Sequence, residues 1–591
     1  MLHRISFVIA IAGLASLPRI ACAAEQHAIT VERGVQAVMR DGTVLRADIY
    51  RPKEAGRFPV LLQRTPYNKA GEVDFGYRAA AEGYVVIVQD VRGRYTSEGE
   101  WYPFKHESQD GYDTIEWAAE LPYSNGKVGM FGGSYVGATQ MLAAIAHPPH
   151  LAGICPIVTA SNYHNGWTYQ GGAFEQWFNE SWTSGLAQDT LNRRVQHHTN
   201  AMKGIWTLPL SNYPLFNLKP EDLKLDSPDS LAPYFQDWLA HPDYDEYWKR
   251  WSIEEHYQDI KVPVLTIAAW YDIFQGGSLR NYEGIKAHGG SEAARKGQHL
   301  MITIGGHAGS GRKIGAVDFG PAAAEFDGNE ATLHWYDFLF KGAQNEFARK
   351  PVRIFVMGAN EWRDEDDWPL QRARTVKYFL HSRSSANSLN GKGTLSDTAP
   401  QAEAADHYVY DPADPVPTTG GPLCCDAVHL APGPQDQRPV ESREDVLVYS
   451  TPAFDRDTEV TGPVSLDLYA ASSAVDTDFT AKLVDVWPNG FAQNLTEGIV
   501  RARYRASQEK PEVMNPGQAY RFAIDLWSTS NVFRKGHRLR LEVTSSNFPR
   551  FDRNLNTGEN PERGSRYVKA TNTIYHDAEH PSALQVAVVG R

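Results

Sequence analysis

Cysteine is scarce in this chain of 591 residues: there are four, at positions 22, 155, 424 and 425. So few in such a length exclude a disulfide-stapled scaffold. No C-x-x-C pair and no H-E-x-x-H motif occurs. Zinc sites of those kinds have no carrier, and no metal or organic cofactor is expected. Beyond residue 23 no run of ~20 consecutive apolar residues is present, so no membrane span is expected in the mature protein. No repeat of fixed period occurs either, which sets solenoids and propellers aside. Positive charge is in deficit, 58 Lys and Arg against 71 Asp and Glu, for a net charge of −13. That balance argues against nucleic acid and anionic membranes as partners. It selects no substrate and leaves homo-oligomerisation open.

What is present begins with a leader-like segment. His3 and Arg4 give a basic start, Phe7 to Leu17 an apolar core, and Ala21-Cys22-Ala23 a small-residue cleavage site. Residues 1–23 are expected to be a secretory signal, and the protein to be exported, periplasmic or secreted. The remaining length calls for more than one domain. From Val31 to about Thr159, apolar runs such as Phe58–Leu62 and Tyr84–Val88 alternate with helical stripes such as Tyr112, Ile115 and Ala119. This is a βαβ series, hence a mostly parallel sheet covered by helices. Aromatic residues crowd the next stretch (Tyr163, Trp167, Tyr169, Phe174, Trp177, Phe178, Trp182) and helical patterns with proline breaks replace the strands. The α/β pattern returns with runs at Val264–Ile267 and Leu300–Ile304; beyond 351, short alternating runs between Pro-, Gly- and Asp-rich turns suggest a β-sandwich or jelly roll. The expected division is therefore an α/β core at 24–160 and 257–350, a helical cap at 161–256 and a β domain at 351–591. Cys155, in an apolar run, is expected to be buried and inert, whereas adjacent Cys424 and Cys425 could be a vicinal disulfide or two thiols.

The most informative stretch is Gly132-Gly133-Ser134-Tyr135-Val136-Gly137. A strand-like run, Lys127–Phe131, leads into it, and a helical pattern leads out to Ala146 before Pro148-Pro149. A serine on so sharp a strand-to-helix turn projects its hydroxyl clear of the sheet, the geometry of a nucleophile elbow. The helix start aims the backbone N–H of Tyr135 at any oxyanion formed on Ser134. The strict G-x-S-x-G pattern would place a glycine at 136, where this chain has Val136; the glycine comes one place later.

Function in open parallel sheets gathers at the carboxyl ends of strands. Asp272 follows the run Val264–Trp270 and His307 follows Leu300–Ile304, so Ser134, Asp272 and His307 stand at three strand ends in the chain order of α/β-hydrolases. A neutral serine needs a base, imidazole titrates near working pH, and a carboxylate fixes its tautomer. Tyr67, in Thr65-Pro66-Tyr67 after another strand, could offer its phenol to the oxyanion beside the Tyr135 N–H.

Arg64-Thr65-Pro66-Tyr67-Asn68-Lys69, Asp90-Val91-Arg92-Gly93-Arg94-Tyr95, the elbow, Trp270-Tyr271-Asp272 and the strand-end His307 together resemble the CocE/NonD hydrolases. That family includes cocaine esterase and is related to α-amino-acid ester hydrolases and X-prolyl dipeptidyl peptidases. The resemblance extends over almost the whole mature chain and continues through Val352–Gly358 and Trp362–Leu370. It implies an α/β-hydrolase core with an inserted helical cap and a C-terminal jelly roll. It also implies a G-x-S-Y-x-G elbow that accommodates Val136, an oxyanion role for Tyr67, and an acyl pocket formed by Trp167, Trp182 and Phe274. One departure is Gly305-Gly306 before His307, where relatives often have G-P-W-x-H. The Arg92-Gly93-Arg94 segment is read as a structural brace. The expected activity is hydrolysis of a small-molecule carboxylic ester or amide through an acyl-serine. Two alternatives remain: α-amino-acid ester, β-lactam or X-prolyl substrates on the same machinery, for which Glu175 and Glu180 are candidate carboxylates, and a carbohydrate-binding protein with an inactive core.

Overall fold

Strands so apolar that every residue is buried, such as Val85–Asp90 and Val264–Tyr271, set the centre of the molecule. The computed structural model describes residues 26–198, 224–225, 227, 230–307, 309–383, 385–560 and 564–590. The leader expected at 1–23 lies outside them. Six strands, β1 (Ile29–Val38), β2 (Val44–Pro52), β3 (Phe58–Thr65), β4 (Val85–Asp90), β5 (Ser124–Gly133) and β6 (Leu151–Ile157), form the first part of a ten-stranded sheet. Their order is β1-β2-β4-β3-β5-β6, followed by Val264–Tyr271, Gln298–Gly306, Val352–Val356 and Glu361–Glu365. Pairing is parallel from β4 to Val352–Val356 and antiparallel at both margins.

Helices α2 (Glu107–Glu120) and α3 (Tyr135–Ile145) cover one face, burying Ile115, Ala138, Met141 and Leu142 against Val60, Val85 and Val128. Helix α1 (Val73–Ala81) and the helix Gly328–Lys341 cover the other with Phe75, Leu333 and Tyr336. Cys155 is buried on that second face, its thiol pushed up to about 12 by burial.

One boundary needs correction. The β domain was expected from 351, yet Leu300, Met301 and Ile302 pair in parallel register with Val352, Arg353 and Ile354, and Glu361–Glu365 closes the sheet beyond them. The core sheet therefore runs to Glu365. Among the described residues the β domain proper has eleven strands between Ala373 and Val589. Its longest pair, Thr458–Ser472 with Tyr520–Phe533, is joined along nearly its full length. Phe479, on another strand, meets Phe522 at a ring-centroid distance of 4.7 Å, so two layers close on an apolar interior as in a jelly roll.

This interior is continuous with the core. Trp270, Tyr271 and Ile302 belong to the same buried cluster as Leu466, Phe522 and Leu541. The Tyr271 hydroxyl donates to the Asn494 carbonyl at 2.9 Å. Among the described residues the cap contains α4 (Gln176–His198), the helix Pro233–Ala240, short helical turns and a hairpin pairing Tyr169–Gln170 with Ala173–Phe174. Among the described residues no helix is long and apolar enough to cross a membrane.

Candidate active site

Strand β5 ends at Gly133 and α3 begins at Tyr135, leaving Ser134 alone in the corner at φ 62° and ψ −129°. Non-glycine residues seldom occupy that region, and its cost is met by the surrounding bonds. The Ser134 N–H donates to Ile157 O at 2.9 Å, and its carbonyl accepts from Gly137 and Ala138 N–H at 2.9 and 3.0 Å. The glycines are spatial necessities. A Cβ on Gly137 would sit 2.8 Å from Thr159 Cβ, and one on Gly132 only 2.4 Å from Val136 Cγ1. Val136 is thus accommodated by the absence of a side chain at 132.

Asp272 follows the strand Val264–Tyr271 and is fully buried. Its Oδ1 accepts from the Phe274 N–H at 2.7 Å, and its Oδ2 lies 2.6 Å from His307 Nδ1. His307 Nε2 lies 2.8 Å from Ser134 Oγ. Serine, histidine and aspartate therefore form one unbroken hydrogen-bonded row, the imidazole only 9% exposed. With a carboxylate on Nδ1, that nitrogen carries the proton and Nε2 is left to accept from the serine. The Gly305-Gly306 pair before His307 finds its reason here. A Cβ on Gly305 would fall 2.2 Å from Gly309 O, and Gly306 and Gly309 exchange two backbone hydrogen bonds of 3.0 Å. The loop doubles back too tightly for a side chain at 305.

Tyr67 approaches from the end of β3. Although 40% exposed as a residue, its phenol end lies among protein groups: burial raises the hydroxyl's pKa, while hydrogen bonding with Trp182 and Ser134 lowers it. The Trp182 indole N–H donates to the Tyr67 oxygen at 3.0 Å. Indole is a donor only, so the phenol's own proton is left for another acceptor. The loop is braced from below, as Arg94 donates to Pro66 O and to Leu186 O of the cap, both at 2.9 Å. Arg92 pairs with Asp110 at 2.6 Å and Asp41 at 2.8 Å. The Tyr135 N–H, at the first position of α3, precedes any intrahelical acceptor.

The side chain of Tyr135 points elsewhere. Its hydroxyl donates to Glu107 at 3.0 Å and accepts from Phe104 N–H at 2.8 Å. Glu107 is buried, which raises its pKa, and Arg64 opposes the shift from 2.8 Å. This pair beneath the elbow was not singled out from the sequence. The available signal was an arginine inside an apolar run, since a buried guanidinium requires a partner.

Trp167, Trp182 and Phe274 are gathered as one group. Trp167 stacks on Phe274 at 4.3 Å and meets Trp182 edge-on at 5.7 Å, and Phe274 meets the His307 ring at 5.1 Å. The two candidate carboxylates do not join them. Glu175 is buried against Arg550 at 3.5 Å, with burial holding its pKa up to about 7. Glu180 accepts from Gln176 at 3.0 Å on an exposed part of α4.

Two family models match in tandem: X-Pro dipeptidyl-peptidase (S15 family) over residues 41–309, and X-Pro dipeptidyl-peptidase C-terminal non-catalytic domain over 345–585. Cocaine esterase from Rhodococcus sp. (strain MB1 Bresler) is 38% identical over 590 residues, covering 95% of this chain and 99% of that protein. The chain belongs to the cocaine esterase (CocE/NonD) family. As a member it is an enzyme, a serine hydrolase. Among solved structures, an α-amino acid ester hydrolase matches this CocE/NonD chain at a TM-score of 0.77 with 25% identity, over 98% of this chain and 100% of that one. An aminopeptidase from a marine sediment archaeon, Thaumarchaeota archaeon, shares the fold at a TM-score of 0.79 with 24% identity, over 98% and 99%.

Proposed function

We propose that this chain hydrolyses carboxylic esters through an acyl-enzyme on Ser134, with His307 as general base and Asp272 as its orienting acid. The observation that carries this reading is the row Asp272–His307–Ser134, with contacts of 2.6 and 2.8 Å, at the tip of a strained elbow. His307 Nε2 takes the serine proton as Oγ attacks the ester carbonyl, and Asp272 stabilises the imidazolium that forms. The tetrahedral oxyanion is met by the Tyr135 N–H and the Tyr67 hydroxyl. On collapse His307 returns the proton to the departing alcohol. Water then enters, loses a proton to His307, and releases the acid.

Trp167, Trp182 and Phe274 supply an apolar wall beside His307, which suits a bulky or aromatic acyl group. The α-amino-acid ester and X-prolyl readings draw on the family models and the solved ester hydrolase. An ammonium on the acyl group needs a carboxylate, however, and Glu175 is engaged by Arg550. We therefore favour a neutral acyl group. Export of the protein through the leader at 1–23 is part of the same proposal, checked by N-terminal sequencing of the extracytoplasmic protein.

The central test is a panel of aryl and alkyl esters, with and without an α-amino group, run on the wild-type protein and on Ser134→Ala. The substitution is expected to lower kcat by at least ~10³-fold and to abolish labelling by a fluorophosphonate. Near-normal turnover by Ser134→Ala would place the chemistry elsewhere.

A further inference from the structure

Adjacent Cys424 and Cys425 are joined as a disulfide. They lie in a loop of the β domain whose base is pinned by two hydrogen bonds between Gly421 and Gly433, of 2.8 and 2.9 Å. Just past that base, Pro434 O accepts from the Ala316 N–H at 2.8 Å, and a Cβ on Gly433 would lie 2.8 Å from Ile314 Cγ2. The loop thus rests on the segment that follows His307. On its other side, the Cβ position of Gly421 is 3.1 Å from both carboxylate oxygens of Glu497, which pairs with Arg550. Arg550 in turn reaches Glu175, immediately before α4 of the cap. The loop lies between the segment that follows His307 and the Glu497–Arg550 pair, and Arg550 links that pair to the cap.

The two sulfurs differ in environment. Cys425 is exposed, whereas Cys424 is 8% exposed and buried in the apolar cluster that contains Trp167, Phe178, Trp182 and Phe274. Every other buried member of that cluster, among the described residues, comes from the core or the cap; Cys424 alone comes from the β domain. A ring closed through a single peptide bond fixes the backbone at this point and presents a compact, apolar sulfur face. Two free thiols would do neither.

We propose that the Cys424–Cys425 disulfide is a reducible wall of the acyl-binding region, and that opening it changes which acyl groups Ser134 accepts. The proposal rests on the acyl-serine reading given above. The reductant is a small dithiol. Its thiolate attacks the exposed Cys425 sulfur, and Cys424 departs as the thiolate and takes up a proton. The second thiol then attacks the mixed disulfide, so Cys425 leaves and is protonated in turn. Two electrons and two protons pass to the protein, and the dithiol ends as its own disulfide. The reduced loop no longer holds Cys424 in the cluster that it shares with core and cap residues. Bulky acyl groups, which need a defined wall, are affected more than acetyl.

The experiment uses the full chain, oxidised or treated with dithiothreitol, with the bond's state read by alkylation and mass spectrometry. The readout is the ratio of kcat/KM for a benzoyl ester to that for the matching acetyl ester. Opening the bond is expected to shift this ratio by about tenfold, the discrimination that a methylene-sized change in an apolar pocket carries. Reoxidation restores it. Cys425→Ala should hold the ratio at the reduced value and remove its response to dithiothreitol, while Cys155→Ala should respond as the wild type does. Should Cys425→Ala fail to fold, the reduction and reoxidation of the wild type decide alone. A ratio unchanged while the bond is shown to open overturns the proposal, as does finding both thiols free in oxidised protein. Failure of the acyl-serine reading is distinct: it appears as turnover that survives Ser134→Ala.

Discussion

Val136 occupies the place where the elbow pattern asks for glycine, and Gly132 explains how, by leaving open the space that the valine methyl takes. Tyr67 is the residue whose role can be isolated most cleanly. Tyr67→Phe keeps the ring and removes the proton that would reach the oxyanion, so kcat is expected to fall by ~10²–10³-fold with little change in KM. Steady-state kinetics on one activated ester checks this, and a change in KM alone would make Tyr67 a mere binding contact. At this scale much was legible. That Ser134, Asp272 and His307 would meet could be anticipated, because all three stand after apolar runs, and the structure joins them by hydrogen bonds. Glu107 was not anticipated, because its partner Arg64 lies 43 residues away, and an arginine inside an apolar run calls for a partner without saying which.

Elements were legible by type and less so by partner. The run read as a strand at Tyr84–Val88 overlaps the strand Val85–Asp90 from its second residue, and Leu300–Ile304 lies within Gln298–Gly306. Val352–Val356 was also recognisable as a strand, but its alternation suited an antiparallel domain and gave no hint that it pairs with Gln298–Gly306. Pairing is a long-range choice that a strand's own side chains do not encode when both neighbours offer apolar faces. The start of α4 carries a prediction of its own. Burial raises the Glu175 carboxyl from 4.5 to about 7. An acid with a raised folded-state pKa contributes its full stabilisation below the unfolded value and loses it as pH rises through the folded one. Relative to Glu175→Gln, the wild-type protein should therefore lose stability between about pH 4.5 and 7, by up to ~3 kcal/mol. Denaturant unfolding of both proteins across that range is the measurement. Parallel curves would show that Glu175 stays charged throughout.

At the scale of the molecule, the two family models divide the chain in a way its packing does not. Trp270 and Tyr271, beside Asp272, are buried in one cluster with residues of the β domain. A fragment ending near 350 would lose the last two sheet strands and expose that cluster, so it is expected to be insoluble, whereas the full chain is not. Comparison of the soluble fractions on expression tests this; a soluble, active fragment would mean the β domain is dispensable. The sequence revealed two domains of different texture but not that they share an interior, since that depends on which faces meet.

The bond from the Tyr271 hydroxyl to the Asn494 carbonyl has a consequence for how the enzyme fails. The residue that precedes Asp272 is moored to a different domain from the one that bears Ser134. A slight loosening of that mooring would misalign the imidazole while every helix and strand stayed formed. Warming should accordingly extinguish turnover some degrees before circular dichroism registers any melting, and the early loss should be reversible on cooling.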